Sequence, residues 1–223
     1  IVNKRAAINQ KKCVECGRCS KVCQFNAISD VRRPCIKSCK IGAIDIDKET
    51  KKAIIDRDKC ISCGECVFKC PFGAISDKSQ MLPLVRLLRN NTKNYNLYAV
   101  VAPSIAVQYD HVTLEQINHA LKKMGFHMVV EAAVGADIAA VTEAGLIEEE
   151  LKHKAFVTTS CCPAFVSLIE KKYPELVENI STTASPMIIV SRLIKEQDNH
   201  AKVVFIGPCT AKKEEAAKEH YRS

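Results

Sequence analysis

The sequence predicts an α/β protein in which a small α+β domain, residues 1–79, precedes a mostly parallel α/β domain, residues 80–223. Ten of the 13 cysteines fall within the first 70 residues, where short segments separate three cysteine runs. Beyond residue 96, apolar strand-like segments alternate with helical ones, which is typical of a parallel sheet covered by helices. With 223 residues and 47% hydrophobic content, the chain is long enough for one large or two small cores.

An internal repeat organises the small domain. Each cysteine run ends in a similar tail, which is the mark of a duplicated unit: Asn26-Ala27-Ile28, Gly42-Ala43-Ile44 and Gly73-Ala74-Ile75. The alternation of apolar and polar residues over 44–47 and 53–56 predicts a β-hairpin. A polar linker over residues 77–96 follows, with a helix predicted around residues 82–89.

Four strands are predicted in the larger domain, at residues 97–101, 128–131, 155–158 and 202–206. Helices are predicted near 113–124, 135–151, 163–172, 186–197 and 212–220, and Thr113 with Gln116 gives the first of these a helix-start signal. Ligands gather at the carboxyl ends of parallel strands. Three of the four predicted strands are followed directly by candidate site residues, so we expect a site at that edge of the sheet. These segments are Ala102-Pro103-Ser104, Cys161-Cys162 and Gly207-Pro208-Cys209.

The composition favours reduced, metal-binding thiolates over disulfides, which predicts a cytoplasmic protein. Neither a membrane-spanning apolar run nor a signal-peptide pattern is present, so a membrane partner is not expected. The net charge of +8 falls to roughly +4 once two oxidised clusters are counted. Lys and Arg are also scattered, so nucleic acid is not an expected partner.

Two cysteine runs have the spacing of iron–sulfur ligands. Cys13, Cys16, Cys19 and Cys23 follow the order C-x2-C-x2-C-x3-C, and Cys60, Cys63, Cys66 and Cys70 repeat it. In this arrangement three cysteines of a run hold one 4Fe–4S cluster and the fourth reaches the other cluster. The prediction is therefore one cluster on residues 13, 16, 19 and 70, and a second on residues 60, 63, 66 and 23. A pair of zinc sites is the alternative, but the doubled order resembles a bacterial two-cluster ferredoxin over about residues 5–78.

Cys35 and Cys39 form a middle pair that keeps only the last two cysteines of a run. Three interpretations stay open. The pair ligates an extra cluster, Cys39 or Cys35 replaces Cys23 as a ligand, or the two are relic cysteines without a metal.

The second half of the chain resembles the FeFe-hydrogenases over about residues 97–223. The resemblance rests on Thr159-Ser160-Cys161-Cys162-Pro163 and on Gly207-Pro208-Cys209-Thr210-Ala211-Lys212-Lys213, each after a predicted strand. It implies a 4Fe–4S cubane joined through a shared cysteine to a di-iron unit. It also implies reversible interconversion of protons and electrons with dihydrogen, and a ferredoxin or another redox partner. A signalling domain or a second copy of the chain is a further partner that the resemblance allows.

The resemblance assigns a role to each site residue. Cys162 and Cys209 ligate the cubane, and Cys161 relays protons, for which a thiol with a tunable pKa is suited. Lys212 hydrogen-bonds an iron-bound cyanide as a compact cation, unless it is a plain surface lysine. The residues that line the di-iron pocket are Ala102, Pro103, Ser104, Met187 and Gly207, with a simple helix cap as the alternative for Ser104.

Departures from the family pattern concern the proton path and the pocket. Glu143 and Ser181 match the acidic relay, but Leu146 stands where a second glutamate is usual and carries no proton. Met187 replaces the usual glutamine, and Gly207 the usual methionine. These changes resemble the sensory branches of the family and predict slow turnover, as in a hydrogen sensor.

The cubane needs two further thiolates, which the family supplies downstream of residue 223. Because the first residue is Ile1 rather than Met, and because a charged helix is predicted up to residue 220, we expect the chain to be part of a longer protein. Two other functions stay open. One is a ferredoxin-like electron carrier whose second region only docks a partner, and the other is a related iron–sulfur assembly protein, against which Cys161 and Lys212 argue.

Overall fold

The small domain is built around a β-hairpin and short helices. The computed structural model describes residues 8–9, 12–13, 17–25, 27–28, 33–90 and 94–218. Its elements here are α1 (Arg18–Val22), α2 (Pro34–Ser38), β1 (Ile44–Ile46), β2 (Ala53–Ile55) and α3 (Glu65–Phe68). Strands β1 and β2 are antiparallel, with Ile44 opposite Ile55, so the predicted hairpin is confirmed. Helix α2 packs against α3 and therefore places the middle cysteine pair beside the last run.

The larger domain alternates strands and helices as predicted. Its elements are α4 (Met81–Arg89), β3 (Asn96–Val101), α5 (Leu114–Met124), β4 (Met128–Glu131), α6 (Ala132–Glu150), α7 (Pro163–Lys172), α8 (Pro186–Gln197), β5 (Ala201–Ile206) and α9 (Ala211–Ala217). Two 3-10 helices, Pro103–Val107 and Pro174–Asn179, complete it. Thr113 and Gln116 form the capping box that starts α5, which confirms the helix-start signal.

A parallel sheet of three strands, in the order β4-β3-β5, forms the centre of this domain within the described residues. In β3, Tyr98 pairs with Met128 of β4 and with Val203 of β5. Because successive side chains of a strand point to opposite faces, β3 feeds two cores. Val100 packs with Val190 and Ile194 of α8 on one face. Leu97 and Ala99 pack on the other face against Phe126, α4 and α5. The predicted α/β class is thus confirmed.

Helices α6 and α8 approach closely at Gly135. A Cβ atom placed there would lie 2.3 Å from the carbonyl oxygen of Pro186 and 2.8 Å from a methyl carbon of Val190. Only glycine tolerates this approach, since any side chain would force the two backbones apart. The contact fixes the start of α8, where Ser185 and Met187 are buried.

The predicted strand at residues 155–158 is wrong. Thr158 forms only an isolated parallel bridge with Ile180. Its N–H donates to the carbonyl of Asn179 at 2.8 Å, and its own carbonyl accepts from Ser181 at 2.7 Å. The segment therefore takes its backbone partners from residues 179–181 and joins neither outer strand of the sheet. A four-residue apolar run does not separate these two outcomes by pattern alone.

The described helices include none that is both long and apolar enough to cross a membrane. The predicted domain boundary between residues 79 and 80 stays a prediction. Helix α4 nevertheless packs Leu84, Leu87 and Leu88 on the sheet of the larger domain, so this part of the predicted linker belongs to the core that follows it.

Candidate metal centres

Four cysteines line one cavity of about 430 Å³ in the small domain: Cys39, Cys60, Cys63 and Cys66. The other walls include the apolar residues Ile44, Ile55 and Ile61. Burial, and to a smaller extent the nearby Cys60 and Cys63 thiolates, raise the pKa of Cys66. A donor set of sulfur in an apolar setting suits an iron–sulfur cluster, whose ligands are cysteine thiolates.

A single metal ion fits this arrangement less well than a cubane. Among the described residues, no three His, Cys, Asp or Glu side chains come close enough together to hold one ion. Thiolates around a zinc ion lie within a tetrahedron whose Zn–S bonds are about 2.3 Å. Thiolates around a four-iron cubane stand further apart and leave room for the cluster between them, as the cavity does.

The repeated tails of the three runs all direct backbone N–H groups at sulfur. The Sγ of Cys39 accepts a hydrogen bond from Ala43 at 3.2 Å, and the Sγ of Cys70 accepts one from Ala74 at 3.3 Å. Backbone hydrogen bonds, that of Ala27 first, lower the pKa of Cys23. Such bonds stabilise a thiolate and tune the reduction potential of a bound cluster. The tail repeat seen in the sequence is therefore a thiolate-binding turn.

A second cavity, of about 470 Å³, is lined by Cys35 and Cys70 together with Arg33, Lys51 and Lys52. Of the first run, Cys13 and Cys23 are half-buried and Cys19 is exposed. Cys16 lies outside the described residues, so its predicted role as a ligand stays a prediction.

The adjacent cysteines and Cys209 lie at the starts of two helices that contact each other. Cys162 is the residue before α7, and Cys209 stands two residues before α9. The helices α7 and α9 pack together, which brings the two motifs to one place. All three cysteines are exposed. They follow a bridge and a strand, respectively, so only Cys209 has the strand-end position that was predicted.

Lys212 is held against the cysteine pair and is not a plain surface lysine. Its Nζ donates to the carbonyl oxygen of Cys161 at 3.0 Å and pairs with Glu215 Oε2 at 2.8 Å. The side chains of Lys212 and Glu215 are only 13% and 7% exposed. Glu215 was not singled out from the sequence, although its spacing of three residues on α9 is that of a neighbour on the same helix face.

The ends of β3 and β5 meet at Ala102 and Gly207. The N–H of Ala102 donates to the carbonyl of Ile206 at 2.9 Å. A Cβ atom at Gly207 would lie 2.7 Å from the ring of Phe205 and 3.1 Å from the Cβ of Ala102. Pro103 opens the 3-10 helix, whose cap is Ala102, so Ser104 is not a cap. The predicted gathering of site residues at strand ends thus holds for these two strands.

The predicted relay residues occupy different surroundings. Ser181 is buried and donates to Thr183 Oγ1 at 3.1 Å, whereas Glu143 is half-buried and Leu146 is 37% exposed. Met187 is buried in α8. Beside it, Ser185 is fully buried, and its hydroxyl has no hydrogen-bond partner in the described structure. Nothing in the sequence pattern distinguished Ser185 from an ordinary N-cap.

Contacts join the last cysteine run to the Cys209 motif. Thr210 Oγ1 donates to the carbonyl of Ser62 at 2.9 Å, and Cys63 and Cys209 line a common cavity of about 310 Å³. Lys171 of α7 donates to the carbonyl of Cys60 at 2.6 Å. A cluster in the small domain would therefore lie next to one on Cys162 and Cys209.

Comparison with models of protein families shows to which family the chain belongs. The model of the iron-only hydrogenase large subunit, C-terminal domain, matches residues 95–223. The chain belongs to this family. The model of the 4Fe–4S binding domain matches residues 6–29 and 53–76, which indicates 4Fe–4S clusters in the small domain. Membership of the hydrogenase family further supports its active-centre cluster in the complete protein.

Relatives of this hydrogenase-family chain include both enzymes and assembly factors. It is 30% identical to iron hydrogenase 1 of Clostridium pasteurianum over 96% of the chain and 39% of that protein. It is 28% identical to the periplasmic [Fe] hydrogenase large subunit of Nitratidesulfovibrio vulgaris over 59% of the chain and 36% of that protein. It is 27% identical to the cytosolic Fe–S cluster assembly factor NAR1 of Candida dubliniensis over 60% of the chain and 26% of that protein. The chain spans less than half the length of each.

Proposed function

We propose that the complete protein interconverts protons and electrons with dihydrogen, as a slow enzyme or a hydrogen sensor. The observation that carries this proposal is the position of Lys212, whose ammonium group lies on the Cys161 carbonyl and is held by a buried carboxylate. A ferredoxin-like carrier or an assembly protein has no use for a cation fixed at the backbone of this cysteine pair.

The cysteines fit the expected group by chemistry and by place. Cys162 and Cys209 would hold the cubane, with the two remaining thiolates supplied by the complete protein. Bound there, the cluster supplies the redox chemistry and the iron that binds hydrogen. The chain itself supplies an exposed thiol, Cys161, that holds and moves a proton, and a cation at Lys212 that orients an anionic ligand.

Electrons would reach this centre through the last cysteine run. Cys63 and Cys209 share a cavity, and the Thr210 hydroxyl is bonded to the carbonyl of Ser62. Both contacts hold the ligand loops of the two centres side by side. The arrangement supports a short path from the small-domain clusters to the hydrogenase site.

Two structural features support slow turnover. Leu146 lies one helical turn after Glu143 on α6, and no carboxylate continues the relay there. The space beside Gly207, where the family carries a methionine, is filled by the ring of Phe205. The pocket would therefore lack both a proton acceptor and a side-chain contact that the fast enzymes have.

Infrared spectroscopy of the full-length, matured protein tests the proposal. Iron-bound carbon monoxide and cyanide bands are expected, together with measurable hydrogen oxidation that is slow relative to the fast enzymes. Substituting Lys212→Met should shift or remove a cyanide band. Complete maturation without any such bands would overturn the proposal, and turnover equal to that of the fast enzymes would overturn the sensor part of it.

Iron–sulfur cluster assembly is the second candidate, and the similarity to several NAR1 proteins favours it. In that case the matured protein would carry cubanes only, without carbon monoxide or cyanide bands. Transfer of its iron and sulfide to an apo-acceptor would then be its measurable activity.

A further inference from the structure

We propose that Cys39 is the fourth thiolate of the cluster held by Cys60, Cys63 and Cys66, in the place that the run spacing assigns to Cys23. The inference concerns the 4Fe–4S centres of the small domain and does not depend on the hydrogen chemistry proposed above. The family matches leave the segment with Cys35 and Cys39 outside both 4Fe–4S binding regions.

The first support is the shared cavity. Cys39 lines it with the three cysteines of the last run, while Cys23 is absent from the described walls. The cavity contains four cysteines, which is the number that a cubane needs. The other walls combine apolar side chains such as Ile44 and Ile55 with charged ones, among them Lys213 of α9.

Backbone hydrogen bonds tie Cys39 to the last run. The Cys39 sulfur accepts from the N–H of Ala43, and the carbonyl of Ala43 accepts from Asp56 at 2.8 Å. The carbonyl of Asp56 in turn accepts from Cys60 at 2.9 Å. The tail after Cys39 leads directly into the hairpin that ends at Cys60, so two potential ligands are fixed relative to each other.

The pairs Cys35/Cys39 and Cys66/Cys70, each separated by three residues, both contribute one cysteine to each cavity. Cys66 lines the first cavity and Cys70 the second, while Cys35 lines the second and Cys39 the first. This crossing is what the ferredoxin rule requires, because the last cysteine of one run serves the cluster of the other. Helices α2 and α3, which carry or flank these pairs, pack against each other. The middle pair is thus the partner run of the last one.

Cys23 lacks this relationship. Its sulfur also receives backbone N–H groups, those of Ala27 and Phe25 first. Its tail, however, is not followed by the hairpin, which begins at Ile44 after the tail of Cys39. The hydrogen bonds that run from Ala43 through Asp56 to Cys60 therefore belong to the repeat unit of Cys39.

Paired cysteine-to-alanine variants of the complete protein, reconstituted anaerobically with iron and sulfide, test the assignment. The readouts are iron and sulfide content and the electron paramagnetic resonance of the reduced clusters. C60A and C39A are each expected to lose one cluster. The double variant C39A/C60A is expected to lose the same cluster and no more. C23A should keep the cluster that C39A loses.

Three outcomes would overturn the inference: C39A keeps every cluster, C39A/C60A loses two, or C23A loses a cluster and C23A/C60A loses no more than that one. If C39A does not accumulate, Cys39→Asp retains a possible ligand. This variant is then expected to shift the signal and the reduction potential of one cluster while the others stay unchanged. An unaltered spectrum of Cys39→Asp would also contradict the assignment.

Discussion

The ammonium group of Lys212 donates a hydrogen bond to the carbonyl oxygen of Cys161 across 3.0 Å, although 51 residues separate them in the chain. Glu215, one turn further along α9, neutralises the charge and is itself buried. The interaction joins the Cys161-Cys162 motif to the Cys209 motif.

Removing one partner of this ion pair should destabilise the protein. In Lys212→Met the buried Glu215 carboxylate loses its counter-ion, and we expect the free energy of unfolding to fall by roughly 3 kcal/mol. Lys213→Met is the matched control, because its ion pair with Asp77 is 39% exposed on both sides and contributes less than about 1 kcal/mol. Denaturant unfolding of the cluster-loaded protein measures both. Equal losses in the two variants would contradict the burial argument.

A methionine at residue 207 should fit only if Phe205 is reduced in size. A Cβ atom there would meet the Phe205 ring at 2.7 Å, and such overpacking costs about 1–3 kcal/mol. We expect Gly207→Met to lower the unfolding midpoint, and the double variant Gly207→Met/Phe205→Ala to lose less stability than the two single losses added together. If the double variant loses more unfolding free energy than the two single variants added together, Phe205 does not occupy this space.

Gly64→Ala should disturb the contact between the two metal-binding regions. Gly64 has φ +79°, and its added Cβ would lie 2.5 Å from Thr210 Oγ1. The substitution should break the Thr210–Ser62 hydrogen bond and slow electron transfer between the regions. Gly125→Ala is the control, since Gly125 has φ +112° and its added Cβ would meet only Leu88, at an ordinary contact distance of 3.5 Å, so only a backbone cost of about 1 kcal/mol is expected. Stopped-flow reduction and thermal unfolding separate the two effects.

The contacts of Asp198 and Tyr98 near the starts of β3 and β5 should make the stability of the protein fall at both acid and alkaline pH. Hydrogen bonds, that of the Asn96 amide first and then those of His200 N–H and Tyr98, lower the pKa of Asp198. Its stabilisation is present above the ordinary carboxyl pKa of about 3.9 and is lost as pH falls through the lowered value. Burial, and then Asp198, raises the pKa of Tyr98, so its stabilisation is present below about 10 and is lost as pH rises through the raised value.

Asp198→Asn and Tyr98→Phe test this pH dependence. In unfolding midpoints measured from pH 3 to 11, the first variant is expected to flatten the acid side and the second the alkaline side. A difference from the unmodified protein that is the same at every pH would indicate a packing effect instead.

A carboxylate at residue 146 should speed turnover if the proposed function holds. Leu146 is 37% exposed, so Leu146→Glu should cost little stability and place a proton acceptor one turn from Glu143. We expect hydrogen oxidation by the matured protein to rise roughly tenfold, which is less than the roughly 10²–10⁴-fold typical of a general acid or base at the reacting atoms. Leu151→Glu, at a 50% exposed leucine beyond the relay, is the control and should leave the rate unchanged.

Most of the fold followed from local patterns in the sequence. The hairpin, α5 and the helices at Pro163–Lys172 and Pro186–Gln197 have strong local signals: alternation, a capping box, or proline at the first helical position. The strand predicted at residues 155–158 failed because Asn179 and Ser181, and not an edge of the sheet, take the backbone hydrogen bonds of Thr158. Local pattern carries no information on that competition.

The sequence by itself determined the cysteine spacing, the family resemblance and the thiol, lysine and glycine of the hydrogenase-like motifs, because these depend on residue type and local order. Only the tertiary structure decided which cysteines share a cavity, that Lys212 reaches the carbonyl of Cys161, and that Gly207 lies against Ala102. Each of these is a meeting of residues from different elements, such as Cys39 with Cys60 and Lys212 with Cys161. Such meetings are fixed by how helices and strands pack, and spacing along the chain does not encode them.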